Sequence, residues 1–591
     1  MATLWTEVEL LPQPHLLRPV LDLATTVARP IEAVSPNDLS FGVEQRPAAR
    51  NDKSSIWIVL RSLLLLTFLC FRPSSLPAAE PAPPPQWIVV TAPALRQTVE
   101  PLIQHRRAQG MKVVAVTTTD VLTVDEIRLG QAVQLRDHVR QLCQQHRGTS
   151  YLLLVGAVEP NWFDKPEQNV LPPLRGTVGR MKGQPSDNDY GCLDDSLLPS
   201  VAVGRFPART ANEAEVMVQK TLFFERDRRP GAWRRRLTIL AGVPEFNPVV
   251  DKLVETMALA RLEKIDPVWT GRAIYHNPQS RFCVPDELLH AKAVQYVQEG
   301  QAFTIYLGHS EPGGLYGGRA RFLTRDDWGT LKIPQGAGIL ATFGCLGCQL
   351  SGRDGEGYGI AALRNPQGPV AVIGSHGICF AAMVQLAAQE FFDATFSGPL
   401  PERLGDCWLQ VKRGLAQGTI DPITFRLLDA VDGDSTIPQG TQRREHLQMF
   451  LLLGDPALRL PVMSQDVQLT GPEAIQPGAT ITIDVQLPPR LAGAQVHIQL
   501  ERPVTSQPPD LEPLPKDAGT ERNRIMLANH ERANRFTIAE RIMVAQDGRC
   551  AARFALPQAL PWPHLLVRVH AVSNNGQEGM GVRRLPVAKE P

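Results

Sequence analysis

Two short apolar segments, each ending at a reactive side chain, constrain the fold of this chain more than any other feature. Residues 303–307 are followed by a glycine and His309, and residues 338–343 by a glycine and Cys345. Apolar runs bounded by glycine are typical of strands buried on both faces, as in a parallel sheet. Such strands place their carboxyl ends at one edge, where open α/β sheets bind ligands. We therefore expect His309 and Cys345 to be neighbours, as a thiol nucleophile and its general base must be.

Four further motifs stand in a fixed order around these two strands. They are PSDNDY at 185–190, VAVGRFP at 201–207, GPVAVIGS at 368–375 and LLGDP at 452–456. Together with the strand-end histidine and cysteine, they resemble the landmarks of the gingipain-type cysteine peptidases, which have a caspase-like fold. The resemblance covers roughly residues 87–460. It implies an α/β catalytic region and the hydrolysis of peptide bonds in a peptide or protein substrate.

The resemblance assigns roles to the strand-end residues. Cys345 would attack the scissile carbonyl as a thiolate and form a thioester acyl-enzyme, and His309 would transfer the proton. The backbone N–H groups of Ser310 and Cys345 are the natural donors to the oxyanion. Taken alone, Cys345 could equally be a small buried apolar residue, since free cysteines often are.

The chain departs from the family's pattern at two positions. Ser310 stands where the family usually has glycine after the histidine, and Gly344 stands where a serine or a similar residue usually precedes the cysteine. If the glycine is needed for a positive φ, a serine there is strained. Ser310 is thus the main argument for an alternative, a catalytically inactive family member that acts as a secreted binding or scaffold protein.

Several nearby residues are candidates for supporting roles. An acid that orients His309 is expected, and the candidates are Glu311, Asp187 and Asp189. The strand over 370–374 should end at the same sheet edge. The residues that follow it are candidates for the substrate pocket: Ser375, His376 and Gly377. For His376, the alternatives are a second base or a structural role.

A second cysteine, Cys348, forms a CxxC pair with Cys345 and suggests a third hypothesis, thiol-redox chemistry. A single CxxC is a poor zinc site. The acidic run 187–195 lacks the spacing of an EF-hand, although a structural calcium ion is conceivable there. We expect no cofactor. Apart from Cys70, the chain has an even number of cysteines, which is compatible with disulfides in an exported protein.

The N-terminal region predicts export. Residues 59–79 hold a short apolar core behind Arg61, followed by small residues, which is the layout of a secretory signal peptide. Residues 1–58 would then be a non-structural extension or a mis-assigned start. The alternative is a signal anchor, and only such an uncleaved segment would contact a membrane. The predicted location is secreted, periplasmic or cell-surface. The net charge of +1 and the lack of a basic stripe argue against nucleic-acid binding.

The remaining chain divides into a linker and three folded parts. Residues 80–86 read as a Pro/Ala-rich linker. Residues 87–230 and 231–462 alternate strands with helices, which predicts two parallel-sheet, caspase-like α/β subdomains, the second of them catalytic. Residues 463–591 show period-two strands and predict an Ig-like β-sandwich, interrupted by a Pro- and charge-rich insertion over 503–535 that we expect to be flexible. The sequence leaves cleavage specificity and oligomeric state open.

Overall fold

The computed structural model describes residues 83–227, 229–244, 248–334, 336–352, 355–431, 436–461 and 463–588. They belong to one compact unit, Ala82–Pro591. The predicted extension 1–58 and signal segment 59–79 lie outside the described residues, so export stays a prediction. Within the described residues, no helix has the length and apolar character needed to cross a membrane.

The first part of the chain alternates strands with helices. Its strands and α-helices are β1 (Gln86–Thr91), α1 (Glu100–Ala108), β2 (Lys112–Thr117), α2 (Val124–Arg128), α3 (Val133–Gln144), β3 (Ser150–Val155), α4 (Pro166–Asn169), β4 (Leu174–Arg175), β5 (Pro185–Ser186), β6 (Ala202–Phe206) and α5 (Ala211–Arg226).

The second part repeats this alternation and contains both candidate catalytic residues. Its elements are β7 (Arg236–Gly242), α6 (Pro248–Leu262), β8 (Thr270–His276), α7 (Asp286–Gln298), β9 (Gln301–Leu307), β10 (Ser310–Glu311), β11 (Gly314–Gly317), β12 (Ala320–Thr324), α8 (Arg325–Thr330), β13 (Ala337–Phe343), α9 (Tyr358–Arg364), β14 (Ala371–Ser375), α10 (Ala381–Phe396), α11 (Leu404–Gln417), α12 (Pro422–Val431), α13 (Gln439–Met449) and β15 (Phe450–Leu453).

The C-terminal part is mainly β-structure with one α-helix. Its elements are β16 (Gln468–Thr470), β17 (Thr480–Gln486), β18 (Gln495–Glu501), α14 (Thr520–Asn534), β19 (Thr537–Val544), β20 (Arg549–Ala555), β21 (His564–Val572) and β22 (Glu578–Pro586).

One ten-stranded sheet runs through the first two parts, in the order β2-β1-β3-β6-β15-β14-β13-β9-β7-β8. All neighbours are parallel except β14 and β15. The strands of the two predicted α/β subdomains therefore form a single sheet. The junction is β15, where Leu453 pairs with Arg205 of β6 and with Val372 of β14.

Burial explains why these segments form a central sheet. Every residue of β1 and β3 is buried, and β9 is buried except at Leu307. Strands covered on both faces need such continuous apolar runs, since a polar residue on either face would lose its hydration. Mixed α/β architecture with a large, mainly parallel sheet is thus confirmed.

The C-terminal part forms two antiparallel sheets, β16-β17-β20 and β19-β18-β21-β22. In β17 buried and exposed residues alternate strictly. Ile483 of one sheet and Ile498 and Val569 of the other belong to the same hydrophobic core. Because apolar inner faces of both sheets share one core, the arrangement fits the predicted β-sandwich.

The insertion over 503–535 differs from the prediction. Part of it forms α14, and this helix packs against the catalytic part instead of extending into solvent. Its buried His530 accepts a hydrogen bond from the Tyr296 hydroxyl (2.8 Å) and stacks on that ring. The Asn534 side chain makes two hydrogen bonds to the backbone of Ala273 in β8. The Ala273 N–H donates to Oδ1 (2.7 Å), and Nδ2 donates to the Ala273 carbonyl (3.0 Å). Charged residues on one face concealed the buried face of this helix.

Asn534→Ala is expected to destabilise the protein, because β8 is an edge strand whose backbone groups at Ala273 would lose both partners. We expect the free energy of unfolding to fall by about 1–3 kcal/mol, measured by denaturant-induced unfolding. Asn523→Ala is the matched control, since its side chain on the same helix only meets Glu287 near the surface (2.5 Å). Equal losses in the two variants would contradict the role assigned to Asn534.

Candidate active site

The two predicted strands lie side by side, and the reactive residues that follow them lie at the same edge of the sheet. β9 and β13 are parallel, with Leu307 in register with Phe343. The Gly308 N–H donates to the Phe343 carbonyl (3.2 Å), and this hydrogen bond joins the carboxyl ends of the two strands. His309 and Cys345 both line one cavity directly beyond these ends. The juxtaposition expected from the sequence is therefore present.

A backbone carbonyl holds the ring of His309. Nε2 lies 3.0 Å from the Pro244 carbonyl oxygen. A carbonyl only accepts hydrogen bonds, so Nε2 carries a proton in this contact and Nδ1 is the nitrogen left to exchange one. His309 itself is exposed, which gives a substrate access to the ring.

None of the three acids predicted to orient His309 contacts it. The Glu311 carboxylate accepts a hydrogen bond from Tyr316 and faces Arg321. Asp187 is buried in an ion pair with Arg205. These acids are committed to other partners, so the prediction of an orienting acid is corrected to the Pro244 carbonyl.

The third acid, Asp189, also has partners other than His309. Its carboxylate accepts hydrogen bonds from the Gln448 amide (3.1 and 3.3 Å) and from Asn188 (3.2 Å). Within the described ranges, no group of three or more His, Cys, Asp or Glu side chains is arranged to hold a metal ion.

Cys345 is half-buried and has an acidic thiol. The pKa of Cys345 is lowered to about 6, above all by the neighbouring Cys379 side chain. The Cys379 N–H (3.4 Å from Sγ) and the positive charges of His309 and Arg180 also lower it, whereas burial raises it. A thiol with this pKa is largely a thiolate at neutral pH, and the thiolate is the nucleophilic form.

Cys379 is a neighbour of the candidate nucleophile that the sequence did not indicate. It is buried, and its Sγ lies 3.6 Å from the Gly344 carbonyl and 3.7 Å from the Met449 sulfur. Burial and the neighbouring Cys345 raise its pKa well above the ordinary value, so it remains a thiol that can donate. The available signal was its position four residues after β14, a third strand that ends at this edge.

Ser375, His376 and Gly377 do not line the cavity and instead support the loop that carries Cys345. The Gly377 carbonyl accepts from the Leu346 N–H (3.1 Å), and the Ser375 carbonyl accepts from the Cys348 N–H (2.8 Å). His376 Nδ1 accepts from a backbone N–H (3.0 Å), and burial lowers its pKa to about 4. The substrate-pocket prediction for these residues is corrected to a structural role, because their polar groups are consumed by backbone contacts.

Ser310 and Gly344 accommodate one another. The φ angle of Ser310 is not positive, so a serine is not strained at this position. Its Oγ donates to the Cys345 carbonyl (2.7 Å). A Cβ on Gly344 would lie 2.5 Å from that Oγ and 2.5 Å from the Gly308 carbonyl oxygen. The serine after the histidine thus occupies space that the missing side chain before the cysteine leaves open.

Cys348 has a different environment from Cys345. It is fully buried in the hydrophobic core, and burial raises its pKa above the ordinary value. It does not line the cavity that Cys345 lines. All eight cysteines of the described ranges are free thiols. These observations disfavour a thioredoxin-type pair, because a thiol buried in the apolar core with a raised pKa does not readily form the thiolate that disulfide exchange requires.

One family model and several solved structures are similar to this chain. The model of peptidase family C25 matches residues 80–461. The chain is similar to a complex of the pro- and mature domains of RgpB from Porphyromonas gingivalis, with 14% identity, a TM-score of 0.47 and coverage of 85% of this chain and 100% of that one. It is also similar to the Arg-specific cysteine proteinase gingipain R, with 14% identity, a TM-score of 0.47 and coverage of 86% and 99%. No curated protein matches the chain significantly.

Proposed function

Because the chain belongs to peptidase family C25 and is a cysteine-type peptidase, we propose that it hydrolyses peptide bonds with Cys345 as nucleophile and His309 as general base. The observation that carries the proposal is that Cys345 and His309 line the same cavity at the ends of adjoining parallel strands. The lowered pKa of the Cys345 thiol supports it.

The proposed reaction has two stages. The Cys345 thiolate attacks the scissile carbonyl, and the tetrahedral intermediate collapses as the carbon–nitrogen bond breaks. Protonated His309 gives its proton to the departing amine, which leaves a thioester acyl-enzyme. A water molecule then attacks the thioester while His309 takes its proton, and the carboxylic acid product leaves with regeneration of the thiolate.

The backbone N–H groups of Ser310 and Cys345 are the proposed oxyanion donors. Ser310 pairs with Leu315 across β10 and β11, and the Tyr316 N–H beside this pair donates to the His309 carbonyl (3.1 Å). In an antiparallel ladder, bonds that flank a pair leave its own N–H groups directed away from the partner strand. The Ser310 N–H is then free of β11 and can serve an oxyanion near Cys345.

The inactive-scaffold alternative depended on strain at Ser310. Since Ser310 has no positive φ and its side chain contacts the Cys345 loop, that argument is lost. A peptide library incubated with the mature protein tests the proposal, with cleavage products identified by mass spectrometry. We expect cleavage together with labelling of Cys345 by a thiol-reactive peptidyl probe. A folded protein that shows neither would be a scaffold.

Two further features belong to the proposal. Export through residues 59–79 is supported by the apolar segment alone, and N-terminal sequencing of the secreted protein, expected to begin after about residue 74, tests it. An Ig-like assignment for the C-terminal sandwich is supported by its two antiparallel sheets and shared core.

The rate of Cys345 alkylation is expected to depend on pH, with a midpoint that Cys379 helps to set. The thiolate reacts, so the rate with iodoacetamide should rise through about pH 6 and level off above it. Cys379→Ala removes the largest cause of the lowered pKa and should move the midpoint upward by roughly one to two pH units. Mass spectrometry at Cys345 gives the rate. Cys407→Ala, a buried cysteine elsewhere, should leave the midpoint unchanged. An unchanged midpoint in Cys379→Ala would refute the role of the Cys379 side chain.

A further inference from the structure

The cavity that holds the candidate dyad extends well beyond it. It has a volume of about 300 Å³ and follows β7 from Leu237 to Gly242, the carboxyl end where His309 and Cys345 lie. Its other end reaches Arg568 of the C-terminal part, which donates to the Pro267 carbonyl just before β8. The volume is in the range of pockets that bind small ligands.

The walls of the cavity are largely apolar. β7 contributes Leu237, Ile239 and Ala241 from one face, because alternate positions of a strand point the same way. Helices α6 and α10 supply the facing wall. The side chains concerned are Ile239, Ala241 and Leu307 from the sheet, and Leu259, Leu262 and Val384 from the helices.

The carboxylates that line the cavity already have partners. Glu255 accepts from Ser280 (2.7 Å) and pairs with Lys252 (2.7 Å). Glu263 accepts from Thr505 (3.0 Å), and Asp266 accepts from Gln465 (3.1 Å). Glu501 pairs with Arg568 (2.9 Å). Glu255 and Glu501 are thus neutralised by cations, and a basic side chain among the apolar walls would lose hydration without gaining a charge partner from either of them.

We propose that this cavity is the subsite for a large apolar side chain, such as Leu, Met or Phe, on the residue that supplies the scissile carbonyl. That residue becomes attached to Cys345 in the acyl-enzyme, so its side chain is the one that a space beside the Cys345 sulfur receives. The inference rests on the proposed function and adds its substrate class. Burial of the extra carbon atoms favours Leu or Phe over Ala by about tenfold or more.

Peptides that differ only at this residue test the subsite. We expect kcat/KM for Leu or Phe to exceed that for Ala, Arg and Glu at least about tenfold. Val384→Phe places an aromatic ring in the cavity and should lower the Leu-to-Ala ratio of kcat/KM about fivefold or more. Val133→Phe, the same substitution at a position that is 54% exposed, should leave this ratio unchanged.

Thermal unfolding shows whether Val384→Phe folds. If it does not, Leu259→Phe, which narrows the cavity from α6, replaces it in the same test. Best cleavage of Arg or Glu peptides, or a Leu-to-Ala ratio that neither variant changes, would overturn the subsite.

Alkylation of Cys345 by peptidyl electrophiles bearing the same residues separates this inference from the proposed function. Faster alkylation by the Leu reagent without any peptide turnover would support the subsite and overturn hydrolysis. Turnover without preference for large apolar residues would support hydrolysis and overturn the subsite. Equal alkylation by all reagents with no turnover would overturn both.

Discussion

Cys345→Ala is expected to abolish peptide cleavage, with a loss in kcat/KM of at least about 10⁴-fold, whereas Cys348→Ala should retain most of it. Cys345 lines the cavity with His309 and has a pKa lowered to about 6. Cys348 is fully buried in the core beneath β14 and β13 and does not line that cavity. The measurement is steady-state cleavage of one peptide by each variant. A modest loss of stability in Cys348→Ala is expected from the small void in the core.

His309→Ala tests whether the two residues act as one unit. We expect a loss close to that of Cys345→Ala, and the double variant should be little worse than either, because members of a catalytic unit are not additive. Loss of activity in Cys348→Ala alone would overturn the assignment of the nucleophile. Equal losses in both single cysteine variants would favour the redox pair.

Asp187→Ala should cause the largest loss of stability among the substitutions considered, about 3–5 kcal/mol in the free energy of unfolding. Asp187 forms a two-point ion pair with Arg205, with Oδ2 accepting from Nε (2.7 Å) and Oδ1 from Nη2 (2.8 Å). The Arg205 side chain is fully buried, so its charge would be left without a partner in the interior. Denaturant-induced unfolding measures the loss.

Two controls make this prediction specific. Asp195→Ala is the same substitution in the same loop, at a side chain that is 98% exposed, and it should barely change stability. Arg205→Met combined with Asp187→Leu removes both charges and should be more stable than Asp187→Ala alone. An Asp187→Ala variant as stable as Asp195→Ala would show that the pair contributes little.

The same ion pair explains two of the sequence landmarks in physical terms. Asp187 belongs to PSDNDY and Arg205 to VAVGRFP, and both motifs are needed to bring the charges together. Arg205 also donates to the Leu171 carbonyl (3.1 Å) in the long loop before the motif. The acid that the sequence offered as a partner for His309 is thus part of the scaffold, and pattern alone could not separate the two roles.

Local sequence determined the strands, the parallel sheet and the meeting of His309 with Cys345. A strand buried on both faces needs a largely apolar run, and adjoining parallel strands must end at one edge, so short segments carry this information. The alternation over 480–486 likewise indicated a strand with one buried face, as β17 has.

Tertiary structure alone decided which groups tune the two catalytic candidates. The Pro244 carbonyl, the Cys379 N–H and the fit between Ser310 and Gly344 bring together residues from different strand ends. Hydrogen bonds depend on tenths of an ångström and on the path of each loop, neither of which is encoded by residue type or spacing. For the same reason the charged face of α14 concealed how His530 and its helix pack on the sheet edge. Apolar periodicity specifies an element, but the partner of each polar atom is chosen only when distant segments pack.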